Sequence, residues 1–141
     1  MDYSGFIVGG KGIRPQPQKL LAVREWPIPK SVTDIRSFLG LCGFYERFVK
    51  DYSSIAAPLT NLQQTNVDWH WDTPEQNAFE ELKKRLLQAP VLIHPDMSKP
   101  FVLHSDASDV GIGAVLSQLN EDVHTCLIAC HSKNLNQAER N

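Results

Sequence analysis

The chain has 141 residues, of which 42% are hydrophobic and 21% are charged, a composition typical of a globular domain with its own core. No apolar run is long enough to span a bilayer, and the first residues lack the basic-then-apolar order of a signal peptide, which argues against membrane and secreted proteins. The three cysteines, an odd number at no disulfide-like spacing, favour a reducing intracellular compartment, either cytoplasmic or nuclear.

Charge is unevenly distributed along the chain. Residues 1–50 carry eight Lys or Arg and four Asp or Glu, whereas residues 51–141 carry six and twelve, so the net charge of −2 hides a basic first third. Such a split is compatible with a polyanionic partner such as nucleic acid, and equally with an ordinary solvated surface. Charge alone leaves both interpretations open.

The first predicted elements are a hairpin and a short helix. The segment SGFIVGGKGI is apolar and breaks at Gly9 and Gly10, which predicts one strand and the turn of a hairpin over residues 4–13. The segment QKLLAVREW follows Pro17 and predicts a helix that ends in the extended linker WPIP.

A longer amphipathic helix is predicted next. Ser31 and Asp34 have the spacing of a capping box, with Asp in the place of Glu or Gln. Apolar residues three and four positions apart, from Ile35 to Val49, predict a helix over residues 34–50.

Two helices and a sheet should complete the chain. A short helix over residues 53–64 should be interrupted by Pro58, and the capping-box sequence TPEQ at 73–76 should begin a helix that ends before Pro90. The period then changes to two in FVLHSD, VGIGAVLSQ and VHTCLIACHS, which predicts three strands in an antiparallel meander with a turn at residues 120–122. The predicted fold is therefore α+β.

Five ordered blocks of this sequence resemble the polymerase polyprotein of gypsy-type LTR retrotransposons. They are GFIVGGKGI with the following Pro-x-Lys helix start, WPIPKSVTDIRSFLGLCGFYERFVKDYSSIAAPLTNL, WHWDTPEQNAFEELKKRLLQAPVLIHPD, KPFVLHSDASDVGIGAVLSQ and LNQAERN. The resemblance implies the end of a palm with its primer-grip-like hairpin at 1–13, a thumb-like helical subdomain at 14–64, and a connecting helix region at 65–98. Residues 99–141 would then be a truncated three-stranded antiparallel ribonuclease H-like sheet.

By this resemblance Asp106 is the first of the four carboxylates that hold two divalent metal ions in ribonucleases H. Two-metal hydrolysis needs several carboxylates, since one ion activates the attacking water and the other stabilises the leaving oxygen. In the family the other ligands come after the position of Asn141, so Asp106 is interpreted as a relic metal ligand. We therefore expect no cofactor in this chain, and Mg²⁺ only in a complete family member. Asp109 is expected to be a turn residue. Gly111 and Gly113 indicate either that the second strand closely approaches a neighbour or a nucleic-acid backbone, or plain strand irregularity.

The resemblance also implies a nucleic-acid-binding surface on the thumb-like helix. Arg36, Gly40 and Phe44 share a stripe beside the apolar one, where a small residue would admit the minor groove of an RNA–DNA hybrid or DNA duplex and an aromatic ring would stack on its sugars. The basic residues that could add phosphate contacts are Lys30, Arg47 and Lys50. The alternative is a solvated helix face with Phe44 packed on a neighbouring helix.

Two other groups of residues are interpreted as structural. His124, Cys126 and Cys130 should alternate onto one face of the last strand beside His131, but their spacing does not suit a zinc site and indicates a half-buried face. Trp69 and Trp71 are expected to fill the gap between the thumb-like part and the sheet, rather than to stack on bases.

Three functions are compatible with the sequence. The first is a catalytically inactive reverse transcriptase and ribonuclease H fragment that binds duplex nucleic acid through its thumb-like helix. The second is a host-adopted protein-interaction module, associating with a partner or with itself through residues 101–131, and the third is a nuclease completed in trans by another chain. If the chain is such an interaction module, the third strand of its sheet would have an uncovered edge, and the helix from Pro74 to Gln88 would cover one face of the sheet.

Overall fold

Four helices and two three-stranded antiparallel sheets make up the part of the chain that the computed structural model describes, which is residues 2–3, 5–10, 12–107, 111–120 and 124–134. The helices come between the two sheets in sequence, and this order confirms the predicted α+β fold. Within these ranges no helix is both long and apolar enough to cross a membrane. The segment 135–141, which contains LNQAERN, and the predicted turn residue Asp109 lie outside the described residues.

The N-terminal hairpin forms as predicted, with one additional strand. Strands β2 (Phe6–Gly9) and β3 (Gly12–Pro15) pair antiparallel, and a short strand β1 (Asp2–Tyr3), which the sequence did not suggest, pairs with β2. Ile13 and Leu92 exchange backbone hydrogen bonds of 2.7 and 2.8 Å. Gly12, at φ +146°, is required here because a Cβ would overlap the carbonyl of Leu92.

Helix α1 (Pro17–Arg24) agrees with the sequence, but the predicted helix over 34–50 is wrong at its C-terminal end. Helix α2 spans Val32–Phe44, and the chain then tightens into a 3₁₀ turn at Glu46–Phe48. In a 3₁₀ turn residues three apart eclipse, so Tyr45 and Phe48 both stay buried, at 0% and 3% exposure. The N-terminus is capped as predicted, since the Asp34 N–H donates to Ser31 Oγ at 3.2 Å.

Helix α3 (Tyr52–Asn61) is continuous through Pro58, so the predicted interruption is wrong. A proline inside a helix costs about 3 kcal/mol, and the buried face formed by Ala56, Leu59 and Leu62 offsets that cost. Helix α4 (Thr73–Leu87) begins one residue earlier than TPEQ implied, because Asp72 is the N-cap and its N–H donates to Glu75 Oε1 at 2.8 Å.

The core lies among the four helices. Phe38 is fully buried and its ring contacts those of Trp26 and Phe79, at centroid distances of 5.9 and 4.8 Å. The ammonium group of Lys83 on α4 donates to the carbonyl of Trp26 at 2.6 Å. These contacts connect α2, α4 and the linker that follows α1.

The C-terminal sheet has the predicted meander order. Its strands are β4 (Val102–Ala107), β5 (Gly111–Leu119) and β6 (Thr125–Asn134). The register shifts between Leu116, which pairs with Ala129, and Ser117, which pairs with Leu127, so Ile128 is a bulge residue.

The covering of this sheet differs from the prediction in two ways. Helix α3, not the helix from Pro74 to Gln88, packs on it, and the Ser53 N–H donates to Ser132 Oγ at 2.8 Å. The edge of β6 is also partly covered, because the Ile93 N–H donates to the Leu127 carbonyl at 2.9 Å. The expectation of a fully uncovered third-strand edge is therefore wrong.

Candidate nucleic-acid interface and the Asp106 cavity

Helix α2 has one buried face and one open face. Ile35, Phe38 and Cys42 are fully buried against the other helices, as the apolar spacing predicted. Arg36, Gly40 and Phe44 are all exposed and follow one another at intervals of four residues, so they lie along one side of the helix. The structure thus brings the three predicted stripe residues together on one accessible surface.

The open face is shaped by Gly40 and Phe44. Apart from its chain neighbours and the adjacent backbone of its own helix, no described atom lies within 4 Å of the position that a Cβ on Gly40 would occupy. Phe44 is 47% exposed, yet its ring stacks on Phe6 of β2 at 4.9 Å and meets the Tyr45 ring edge-on at 5.1 Å. Phe44 therefore packs on the N-terminal hairpin and not on a neighbouring helix, which fixes the ring while leaving about half of it accessible.

The three additional basic residues lie at separate places. Lys30 is exposed just before the N-cap of α2, and its backbone N–H donates to Asp34 Oδ2 at 3.0 Å. Arg47 lies in the 3₁₀ turn with its guanidinium 4.9 Å from the centre of the Phe6 ring. Because α2 ends at Phe44, neither Arg47 nor Lys50 continues the stripe, and Lys50 instead lines a cavity against the C-terminal sheet.

Asp106 lies on that cavity. The cavity has a volume of about 470 Å³, and its ionisable lining residues are Lys50, Asp51, His104 and Asp106. Asp106 pairs with Gly113 across β4 and β5, so its side chain lies on the face that meets the start of α3.

The two glycines of β5 let this face approach α3. A Cβ on Gly113 would overlap Oδ1 of Asp51, and a Cβ on Gly111 would lie 3.3 Å from Ser54 Oγ. Asp51 itself has left-handed backbone angles, with φ 58°, which is uncommon outside glycine. The close-approach interpretation of Gly111 and Gly113 is confirmed, and the approaching neighbours are this chain's own α3 segment and, at Gly111, also the Lys133 carbonyl of β6.

Similarity to known proteins decides the family. Residues 71–141 match the RNase H-like domain found in reverse transcriptase. This chain belongs to that family. All of the chain aligns with the retrovirus-related Pol polyproteins from transposons opus and gypsy of Drosophila melanogaster, at 37% and 38% identity, and with the transposon Tf2-3 polyprotein of Schizosaccharomyces pombe at 34%. The resemblance to gypsy-type retrotransposons is therefore confirmed.

The chain corresponds to a small part of its relatives. It spans 15%, 14% and 11% of the opus, gypsy and Tf2-3 polyproteins, respectively. Its fold is similar to the foamy viral protease-reverse transcriptase in complex with RNA/DNA hybrid, with a TM-score of 0.80, and to the same protein in complex with dsDNA, with a TM-score of 0.82. Both alignments have 22% identity and cover all of this chain, with 19% and 29% of the respective viral chains.

Members of this RNase H-like family use Mg²⁺. A magnesium centre at Asp106 would need further carboxylates close to it. Asp51 is the other carboxylate on its cavity, and Asp106 belongs to no described group of three potential ligands. Two ions about 3.5–4 Å apart need more carboxylates than this pair provides. The described residues do not fit a two-metal centre.

In the part of the chain that the structure describes, three potential metal ligands come together at a different place, at the start of α4. His70 Nδ1 is 3.0 Å from Asp72 Oδ2 and 3.5 Å from Glu75 Oε1. Glu75 is 5% exposed and accepts the Asp72 N–H, so this arrangement has a structural explanation as a helix cap.

The cysteine and histidine pattern on β6 differs from the prediction. Cys126 pairs with Gln118 and Cys130 pairs with Val115. Gln118 and Val115 are three positions apart on β5 and so face opposite sides of the sheet, and the bulge therefore places the two thiols on opposite faces. Burial, together with the nearby Asp51 carboxylate, raises the pKa of the Cys130 thiol, which keeps it protonated. His131 Nδ1 lies 3.3 Å from Glu46 Oε1. The expectation of a partly buried strand agrees with this geometry, although the predicted single face is wrong.

The tryptophans belong to the helical part. The Trp71 ring packs edge-on against Phe79 of α4 at 6.0 Å, and its Nε1–H donates to Gln76 Oε1 at 2.7 Å. Trp69 stacks on Trp71 at 6.0 Å and stays 37% exposed. The expectation that the pair joins the thumb-like part to the sheet is wrong, because Trp71 packs within the helical core.

Proposed function

We propose that this retroelement reverse-transcriptase domain binds duplex nucleic acid, and RNA–DNA hybrid in particular, through the open face of α2. The observation that carries the proposal is the unobstructed surface at Gly40, flanked by Arg36 on one side and by the fixed ring of Phe44 on the other. A helix without a side chain at its centre can approach a duplex more closely than one that carries a Cβ there.

The chemistry of this face suits a hybrid. A-form-like duplexes have a wide, shallow minor groove that displays 2′-hydroxyls and sugar edges. A planar ring can stack on a sugar, and an unpaired guanidinium can meet phosphate or base-edge acceptors. The Arg36 guanidinium makes no hydrogen bond or ion pair with any described residue, so no side-chain contact has to break when it binds.

The structurally similar foamy viral protein supports the same partner. Its structures are complexes with RNA/DNA hybrid and with dsDNA, and all of this chain superposes on part of each. That likeness establishes the fold, and the duplex partner is proposed for this chain from the fold together with the surface of α2.

Charge reversal at Arg36 tests the proposal. We expect Arg36→Glu to weaken binding of an RNA–DNA hybrid about tenfold, or about 1.4 kcal/mol, and to lower the slope of log K against log salt by about one, because one phosphate contact is lost. Fluorescence anisotropy over a salt series measures both quantities.

The matched control is Lys84→Glu, which makes the same charge change at an exposed lysine of α4. It should leave affinity nearly unchanged. Equal losses for the two variants would contradict a role for α2 and would leave only non-specific attraction between the protein and the polyanion.

We also propose that this chain alone does not cleave hybrid. The described residues bring only Asp51 to the Asp106 cavity, and two carboxylates do not hold the metal pair that hydrolysis requires. Incubation of labelled hybrid with the purified chain and Mg²⁺ or Mn²⁺ should give no product above a no-protein control. Cleavage that disappears in Asp106→Asn would contradict the proposal.

A second candidate function is protein association through the C-terminal sheet. Leu103 is 66% exposed and Ile112 is 43% exposed. Gly113 lies on the face that meets α3, and successive side chains of a strand point to opposite faces. Ile112 and Leu103, which pairs with Leu116, therefore lie on the face turned away from α3. Apolar association would be nearly independent of salt, whereas phosphate contacts give a steep salt dependence. The salt series on the parent chain therefore separates the two functions.

A further inference from the structure

We propose that Lys19 of α1 is a phosphate contact, and that the groove between α1 and α2 holds the sugar–phosphate backbone of one strand of the bound duplex. This inference rests on the proposed duplex-binding function. It adds a residue from a second helix and assigns the direction in which the bound strand leaves α2.

The groove is a defined feature of the surface. It has a volume of about 440 Å³. Its lining residues are Gly5, Lys19, Gly40, Leu41, Phe44 and Tyr45. Gly40 and Phe44 belong at the same time to the open face of α2, so a ligand on that face has direct access to Lys19.

The charge of the groove selects an anion. Among the lining residues that the structure describes, Lys19 is the only ionisable cation and none is acidic. Its ammonium group forms no ion pair or hydrogen bond with any residue in the described part of the chain. Lys19 differs in this from Arg24, which pairs with Glu25 at 3.4 Å, and from Arg85, which pairs with Glu81 at 2.7 Å.

The remaining walls suit a sugar–phosphate chain better than a small free anion. Phe44 offers a half-exposed ring held by Phe6, and Gly40 leaves open space beside it. The Tyr45 hydroxyl donates to the Gly5 carbonyl at 2.7 Å, which connects the hairpin to α2 at the base of the groove. A cation, an accessible ring and a glycine side by side provide a phosphate contact, a sugar contact and room for the backbone.

The test uses the full chain with Lys19→Gln, Lys19→Arg and, as the matched control, Lys84→Gln on α4. Hybrid binding is measured by anisotropy from about 50 to 200 mM salt, a range over which phosphate contacts change affinity strongly. We expect Lys19→Gln to weaken binding about three- to fivefold at the lower salt and to reduce the salt slope by about one. Lys19→Arg should bind like the parent, and so should Lys84→Gln.

The outcomes separate this inference from the function on which it rests. If Arg36→Glu weakens binding and Lys19→Gln does not, the Lys19 contact is wrong and the role of α2 stands. If Lys19→Gln and Lys84→Gln lose affinity equally, the groove has no specific role and the inference is overturned. If the parent chain does not bind hybrid at all, both proposals are overturned. Circular dichroism of each variant verifies that the helices are retained.

Discussion

Replacing Phe38 by alanine is expected to lower the free energy of unfolding by about 3–5 kcal/mol. The Phe38 side chain is fully buried, and its ring contacts Trp26 and Phe79, so the substitution leaves a cavity between α2, α4 and the linker after α1. The surrounding rings belong to different elements and cannot all collapse into the space. Urea denaturation followed by circular dichroism measures the loss.

The control is the same substitution at Phe44, on the opposite face of the same helix. Phe44 is 47% exposed and keeps only part of its ring in contact with Phe6 and Tyr45, so Phe44→Ala should cost much less, about 1 kcal/mol. Similar losses for the two variants would contradict the assignment of Phe38 to the core and of Phe44 to the surface.

Local signals in the sequence predicted most of the elements. Ser31 caps α2, and Pro90 lies beyond the end of α4, as the spacing implied. The errors arise where tertiary packing overrides local preference. Pro58 is tolerated because the buried face of α3 offsets its cost, and the chain after Phe44 becomes a 3₁₀ turn because Tyr45 and Phe48 must both be buried.

Contacts between distant segments could not be predicted. Nothing local in the sequence shows that Leu92 pairs with Ile13, since an isolated backbone bridge leaves no periodic pattern. The bulge at Ile128 is equally invisible in an alternating apolar strand, and it alone places Cys126 and Cys130 on opposite faces.

The candidate site was predictable in part. The spacing of Arg36, Gly40 and Phe44 defines one side of a helix, and the structure leaves that side exposed. The sequence did not indicate Asp51 beside Asp106, because the only local signal was the pair of glycines in β5, which allow a neighbour to approach without specifying which one. Lys19 was missed for a similar reason, since its position near Gly40 depends on how α1 packs beside α2.

The open space at Gly40 allows stability and binding to be separated. Because the Cβ position of Gly40 is open apart from its own stretch of helix backbone, a side chain can begin there without a clash, and the better helix propensity of leucine should raise the free energy of unfolding by about 0.5–1 kcal/mol. The same side chain would occupy the space that the duplex needs. Asn77→Leu, which adds a leucine at an exposed position of α4, controls for a general effect of surface hydrophobicity.

The most direct test of the proposed interface is therefore the affinity of Gly40→Leu for an RNA–DNA hybrid, measured beside its stability. We expect affinity to fall by at least about thirtyfold, or about 2 kcal/mol, while stability rises and Asn77→Leu binds like the parent. Unchanged affinity in a Gly40→Leu variant that is folded and at least as stable as the parent would contradict duplex binding by α2.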